Sequence, residues 1–285
     1  MSRAKRLARD VAISGLARIL LKFRGLVLLP IIVKMAGEEA YGVWVQVTFT
    51  STFVGGLFGM ALQSSLVRFL SPLEGREERA SVYLTILPLA ALGGLSGACF
   101  QAGLSRFLSA LLLGSREFSV AFAIGGLLVP LYVLGLVNLN FFRATNRIPL
   151  YNLLDVSTVV LEAGSIWVAL ALGGGIEAAL AVFAIWRALF LVVTTALILR
   201  WVGLSRPAWE RAGEFVGYSL PLVPAQLSTA LADRADRFVV GHFWGPEAVG
   251  VYSMACVVSR AVLLPVSYTH LRAHETEADL VCRLL

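Results

Sequence analysis

Little in this chain of 285 residues is charged, and almost nothing in it is equipped for covalent chemistry. There are only 3 cysteines and 3 histidines. Cys99, Cys256 and Cys282 fall at no metal or redox spacing and imply no disulfide framework. No Gly-rich phosphate loop, no His-Glu-x-x-His and no nucleophile elbow occurs, so no enzyme class, metal or cofactor finds a foothold. Charged residues amount to 15%, and every polar break is short. A membrane-embedded glycosyltransferase, polymerase or ligase would need a sizeable polar loop for its acceptor, and none is present.

What is present is apolar surface. The chain is 58% hydrophobic, with a mean hydropathy of +0.80, more than a soluble domain can hide. Apolar runs recur at about 11–35, 41–66, 81–100, 120–139, 151–172, 178–199, 215–240 and 248–265, each near the length a spanning helix needs. They are apolar all round and do not alternate, which excludes a barrel and predicts an all-α multi-pass bundle. The basic start mimics a signal peptide, but the run after it is too long and lacks a small-x-small cleavage site.

The formal net charge is +6, and most of the excess lies in short loops, where it sets topology and does not signal nucleic acid. Arg3, Lys5, Arg6 and Arg9 precede the first span, and Arg68, Arg76 and Arg79 follow the second. Arg143 and Arg147 follow the fourth span, and Arg200, Arg206 and Arg211 the sixth. The opposite loops are thin in cations, so the expected N-terminus is cytoplasmic, in a plasma membrane.

An internal repeat organises the spans. Gly37-Glu-Glu-Ala-Tyr-Gly-Val-Trp44 follows the first span and Gly245-Pro-Glu-Ala-Val-Gly-Val-Tyr252 the seventh. An even number of spans separates the copies, which predicts a parallel repeat about an axis along the membrane normal. The expected layout is a six-helix lobe at 1–203, a cytoplasmic linker at 204–214 lying as an amphipathic helix at the interface, and two helices of a second lobe at 215–265. Residues 266–285, with Val266-Ser-Tyr-Thr-His-Leu-Arg-Ala-His-Glu-Thr276, resemble the translation of a sequencing adapter. On that expectation His270, His274 and Cys282 are not functional and the natural second lobe continues.

Several charges fall inside spans. Arg18, Lys22 and Arg24 lie in the first, where a cation must face protein or a wet cavity because hydrocarbon costs it a few kcal/mol or more. Arg187 is in the middle of the sixth span, and Asp155 and Glu162 share a face of the fifth. Asp233, Arg234, Asp236 and Arg237 cluster in the seventh, and Arg260 lies in the eighth. Each can be a packing ion pair. Together, Arg18, Lys22, Arg24 and Arg187 suit a pyrophosphate-bearing substrate, since guanidinium matches phosphate bidentately. Asp155 and Glu162 suit a coupling H+ or Na+, and the seventh-span cluster either couples ions or forms a neutral lock. Pro221 and Pro224 suggest a bendable segment, whereas Gly55-Gly56 and Gly93-Gly94 suit close helix packing.

Ser219-Leu-Pro-Leu-Val-Pro-Ala-Gln226, Asp236-Arg-Phe-Val-Val240 and Gly245 to Tyr252 closely resemble the start of the second lobe of bacterial oligosaccharide flippases, the Wzx-type polysaccharide transporters of the MOP flippase superfamily. The basic first span and Ala40-Tyr-Gly-Val-Trp44 resemble the start of their first lobe. The resemblance implies two bundles forming a V around a cationic cavity. It further implies transport of an undecaprenyl-diphosphate-linked oligosaccharide to the outer leaflet, driven by an ion gradient, among membrane lipids and beside polymerases or glycosyltransferases of the same pathway. A drug or metabolite exporter of the superfamily is the alternative, and cationic helix faces weigh against it.

Overall fold

The computed structural model describes Leu21 and residues 24–284, with side chains as far as Ser259. Arg18 and Lys22 lie outside the described residues, as do the side chains of Arg260, His270, His274 and Cys282. The chain forms α1 (Arg24–Phe58), α2 (Leu62–Leu70), α3 (Arg76–Gly103), α4 (Ser105–Leu113), α5 (Ser119–Ala144), α6 (Ile148–Ala171), α7 (Ile176–Val202), α8 (Ala212–Ser219) and α9 (Val223–Leu284), and no strand occurs among the described residues. Helices α3, α5, α6 and α7 are each long and apolar enough to cross a membrane, and α1 with α2 can be counted as one further, bent span. Their outer faces expose Leu92, Leu127, Leu153, Val160, Ile185 and Val192, as lipid contact requires. The protein is a multi-pass helical membrane protein.

Two features depart from the expected layout. The second span is not continuous: Met60 and Ala61 adopt φ of 50° and 52°, and α2 leaves α1 at 56°. At this break the Phe58 carbonyl presses on Gly93, where a Cβ would lie 2.2 Å from the oxygen. Only glycine permits that approach, so Gly93 serves packing, as does Gly94 against Pro130. The linker, in turn, is non-helical as far as Ala208, and helix begins only with a 3-10 turn at Trp209–Arg211 that runs directly into α8. Its backbone bonds to α3 instead of to itself: Ser81 Oγ donates to the Arg206 carbonyl at 2.8 Å, and the Ala208 N–H donates to Thr85 Oγ1 at 2.8 Å. Pro221 then falls in a second 3-10 turn and Pro224 in the first turn of α9, where a missing N–H costs nothing.

The bundle has two ends. At one, Arg147 and Arg79 stack on Trp201, with their guanidinium carbons 3.7 and 5.7 Å from the ring. Above this arginine end lies a core of Leu62, Leu66, Tyr83, Phe141, Phe142 and Phe215. Toward the other end a second core gathers Ile32, Trp44, Val47, Phe122, Ile166 and Leu180. Asn138 bolts three helices together: it accepts from Tyr83 at 2.8 Å and donates to Thr194 and Thr195 at 2.9 and 2.8 Å.

The opposite end is built from the repeat. Gly37 and Gly245 kink α1 and α9 with nearly the same backbone, φ 89° and ψ 174° against φ 80° and ψ −177°. Both lie in the left-handed region that disfavours a side chain. The two copies then pack on each other. A Cβ at Gly42 would lie 1.8 Å from the Pro246 carbonyl oxygen, and one at Gly250 would lie 2.2 Å from the Glu38 carbonyl oxygen. Glu38 and Pro246 hold equivalent positions in the two copies, as do Gly42 and Gly250. The contact is therefore self-complementary, like that across a two-fold axis. Nearby, Gly241 approaches the Leu112 carbonyl, and His242 Nδ1 donates to the Leu111 carbonyl at 2.7 Å.

Gly93→Ala should lower the melting temperature in detergent by several degrees, since overpacking a tight contact costs about 1–3 kcal/mol. Gly164→Ala, whose Cβ meets nothing within 4 Å, should leave it unchanged or raise it. Equal behaviour of the two variants in thermal unfolding would contradict the packing described.

Candidate functional site

Midway along the bundle, α1, α6 and α7 bring ionisable groups together. Arg24 of α1 forms an ion pair with Glu162 of α6 through a very short Nη2 to Oε1 contact. The Glu162 side chain is 2% exposed, whereas Arg24 retains 40% of its exposure. The carboxylate is thus sealed and its partner is not. Glu162 also lines a crevice of about 10 Å³ with Arg187, Thr158, Phe183 and Trp186, too tight for a ligand as it stands. Arg187 sits over the Phe183 ring at 5.2 Å and lies in the field of Arg24, Glu162, Tyr132 and Asp155. Asp155, half-buried, lies on the same helix as Glu162, seven residues earlier.

Of the four expected cations, then, Arg24 and Arg187 share one neighbourhood with both expected carboxylates, while Arg18 and Lys22 are outside the described residues. The α9 cluster stands elsewhere. Asp236 accepts from the Tyr252 hydroxyl at 2.6 Å and from the Arg237 backbone N–H at 2.9 Å. Arg237 is 4% exposed, and its Nε donates to Ser253 Oγ at 3.1 Å. These bonds clasp the two arms of α9 on either side of Gly245. Arg234 lies over the Phe49 ring at 5.3 Å, facing the first arm of the bundle, and Asp233 is exposed.

Reading the spans for buried charge misses a second, roomier cavity. It measures about 1000 Å³, lies at the arginine end, and is lined by Gln63, Ser64, Arg68, Asn140, Arg143 and Tyr218 among others. Its two arginines are indistinguishable in the sequence from the loop cations that set topology. At the far end, the Gly42 and Gly250 contact closes the bundle. The arrangement is a basic cavity open at one end and a backbone seal at the other, with an ion pair between them that leaves a guanidinium partly free. It can receive an anion; it offers no nucleophile with an adjacent base, and no cluster that could hold a metal occurs among the described residues.

Replacing Arg24 or Glu162 alone with alanine should destabilise the protein, because each leaves an unpaired charge within a span. The double variant should be less destabilised than the sum of the two, with a coupling of about 0.5–3 kcal/mol in a thermal double-mutant cycle. Strict additivity would contradict the pair.

No curated protein matches the chain. Among solved structures it is similar to the MATE multidrug transporter DinF-BH in complex with R6G, with TM-score 0.68 and 18% identity over 93% of this chain and 62% of that one. It is also similar to a chain described as protein A, with TM-score 0.66 and 17% identity over the same shares. At such identities the likeness is one of fold, and the chain spans about 62% of the length of each neighbour. A family described as Polysaccharide biosynthesis protein matches residues 31–269. That range takes in both copies of the repeat, the Arg187 and Glu162 neighbourhood and the basic cavity, and the chain belongs to the polysaccharide biosynthesis protein family.

Proposed function

We propose that this chain is the major part of a flippase that moves a polyprenyl-diphosphate-linked oligosaccharide across the plasma membrane for surface polysaccharide synthesis. The observation that carries the reading is Arg24: a guanidinium inside a span, neutralised by a sealed carboxylate on one side and 40% exposed on the other. A diphosphate offers oxygens that match such a fork, and with Arg187 nearby a second cation can share the charge. Arg18 and Lys22, the other two cations expected of the first span, lie outside the described residues. Family membership supports the polysaccharide end of the reading.

Transport then follows as alternating access. The arginine end, cytoplasmic by the positive-inside rule, is open through a cavity of about 1000 Å³. The reciprocal contact of the repeat seals the other end. Release outward requires the two copies to separate at Gly42 and Gly250, by rocking about the repeat axis. Glu162 and Asp155 serve as acceptors of the coupling H+ or Na+ when Arg24 turns to the substrate. The α9 group of Asp236 and Arg237 serves as a clasp between helix arms.

A second reading, export of a drug, draws on the likeness to a MATE multidrug transporter. The lining of the large cavity has two arginines and no carboxylate, which favours an anionic cargo.

In the full-length protein, Arg24→Ala and Arg187→Ala should each reduce surface-glycan export by ten- to a hundredfold, the loss of about 1.5–3 kcal/mol from a charge-assisted contact. Membrane insertion, read by fractionation, should be unchanged. Export at the wild-type level in both variants would overturn the assignment.

A further inference from the structure

We propose that the cavity at the arginine end is a binding site for a glycosyl diphosphate, distinct from the Arg24 and Arg187 neighbourhood and occupied before it. Arg68 and Arg143 take the diphosphate, and Gln63, Asn140 and Tyr218 take the first sugars. The inference rests on the flippase reading and names where its cargo is first held.

Three observations carry it. First, the lining is chemically one-sided. Gln63, Ser64, Arg68, Asn140, Arg143 and Tyr218 contribute guanidinium, amide and hydroxyl groups, and no aspartate or glutamate lines the cavity. Diphosphates and sugars ask for that set: forked cations for the phosphates, and mixed donors and acceptors with an aromatic face for the ring. Second, the size fits. About 1000 Å³ is at the upper end of ligand-binding cavities, enough for a diphosphate and more than one sugar.

Third, of the exposed arginines at this end, Arg68 and Arg143 converge on the cavity, whereas Arg76, Arg200 and Arg206 do not line it. A positive-inside role alone asks only that cations lie at this end. Arg79 donates to the Leu73 carbonyl and, with Arg147, stacks on Trp201. Arg211 pairs with Glu214 and lies over Phe69 and Phe215. Those three arginines are committed to holding the fold. Arg68 and Arg143 are exposed, form no ion pair among the described residues, and line one cavity from α2 and α5. Two helices thus deliver two uncommitted guanidinium groups to the same space.

The α1 to α2 bend explains how they meet. Had the second span run straight through 41–66, Arg68 would continue along the axis of α1. The 56° turn at Met60 and Ala61 instead gives α2 its own direction, with Gln63, Ser64, Val67 and Arg68 on the cavity side. Gln63 Nε2 reaches Gln226 Oε1 of α9 at 3.3 Å, and Gln226 Nε2 reaches Ser64 Oγ at 3.5 Å. Such long bonds can give way to a sugar hydroxyl at little cost.

The test uses the full-length protein in nanodiscs and two probes: undecaprenyl diphosphate carrying N-acetylglucosamine, and soluble UDP-N-acetylglucosamine. Arg68→Ala/Arg143→Ala should weaken binding of the lipid-linked probe at least tenfold. Arg68→Lys/Arg143→Lys keeps the topological charge and should recover only part of that loss. Reporter fusions should show the same topology in both variants. Retained binding in the alanine variant, together with loss in Arg24→Ala, would overturn the vestibule and leave the flippase reading standing. No binding by the wild-type protein would overturn both. A tenfold loss for UDP-N-acetylglucosamine alone would assign the site to a soluble glycosyl diphosphate and overturn the lipid-linked source.

Discussion

A guanidinium placed within a span must find a counter-charge or water. Arg24 finds Glu162, an ion pair that ties α1 to α6 across the bundle, and 40% of its side chain stays exposed. A pair sealed on both sides would be packing and nothing more. A cation with no partner would be too costly to hold in a span. On the proposed flippase reading, half-commitment lets a substrate anion compete with Glu162 for the same side chain. Around the pair, Arg187 adds charge, Asp155 adds a second carboxylate, and Phe183 and Trp186 wall the crevice.

The second constraint is geometric. On the proposed alternating-access reading, two helix pairs that part and meet again need a contact with no interlocking side chains. Gly42 against the Pro246 carbonyl and Gly250 against the Glu38 carbonyl supply one, backbone on backbone. Because equivalent residues meet, neither lobe has to distort to fit the other. Kinks at Gly37 and Gly245, matched in φ and ψ, present the two faces at the same angle.

Much of this was legible in the sequence because the bilayer restricts the choices. Helices α3, α5, α6 and α7 follow the apolar runs within a few residues, since a lipid-exposed backbone has no partner but itself. The repeat was readable as Gly-x-Glu-Ala-x-Gly-Val-aromatic, but its meaning was not: a pattern gives two copies and says nothing of whether they touch. The break at Gly59–Ala61 was hidden because Phe58 to Leu62 continues the apolar run with no proline or charge to end it, and its cause, the approach to Gly93, is tertiary. The linker misled through composition. Trp209 among charges looks like the middle of an amphipathic helix, yet Ser81 and Thr85 hold the backbone before it, at Arg206 and Ala208, out of helix, so helix starts only at Trp209. Asp233, Arg234, Asp236 and Arg237 read as a cluster that couples ions or forms a neutral lock; the bonds of Asp236 to Tyr252 and of Arg237 to Ser253 were not readable, because the kink at Gly245 brings those partners alongside. Arg68 and Arg143 could not be separated from topological cations without knowing which arginines stack, pair or stand free.

The account stands on water and anions reaching Arg24 from the arginine end. Cysteine accessibility measures that directly. In a full-length protein with its native cysteines replaced by serine and Arg24 kept, a single cysteine at position 158, in the crevice that Glu162 and Arg187 line, is exposed to a membrane-impermeant cationic thiosulfonate from each side of the membrane. The account predicts reaction from the cytoplasmic face and protection by the lipid-linked diphosphate sugar. No reaction from either face, or reaction that the sugar lipid leaves unchanged, would contradict it.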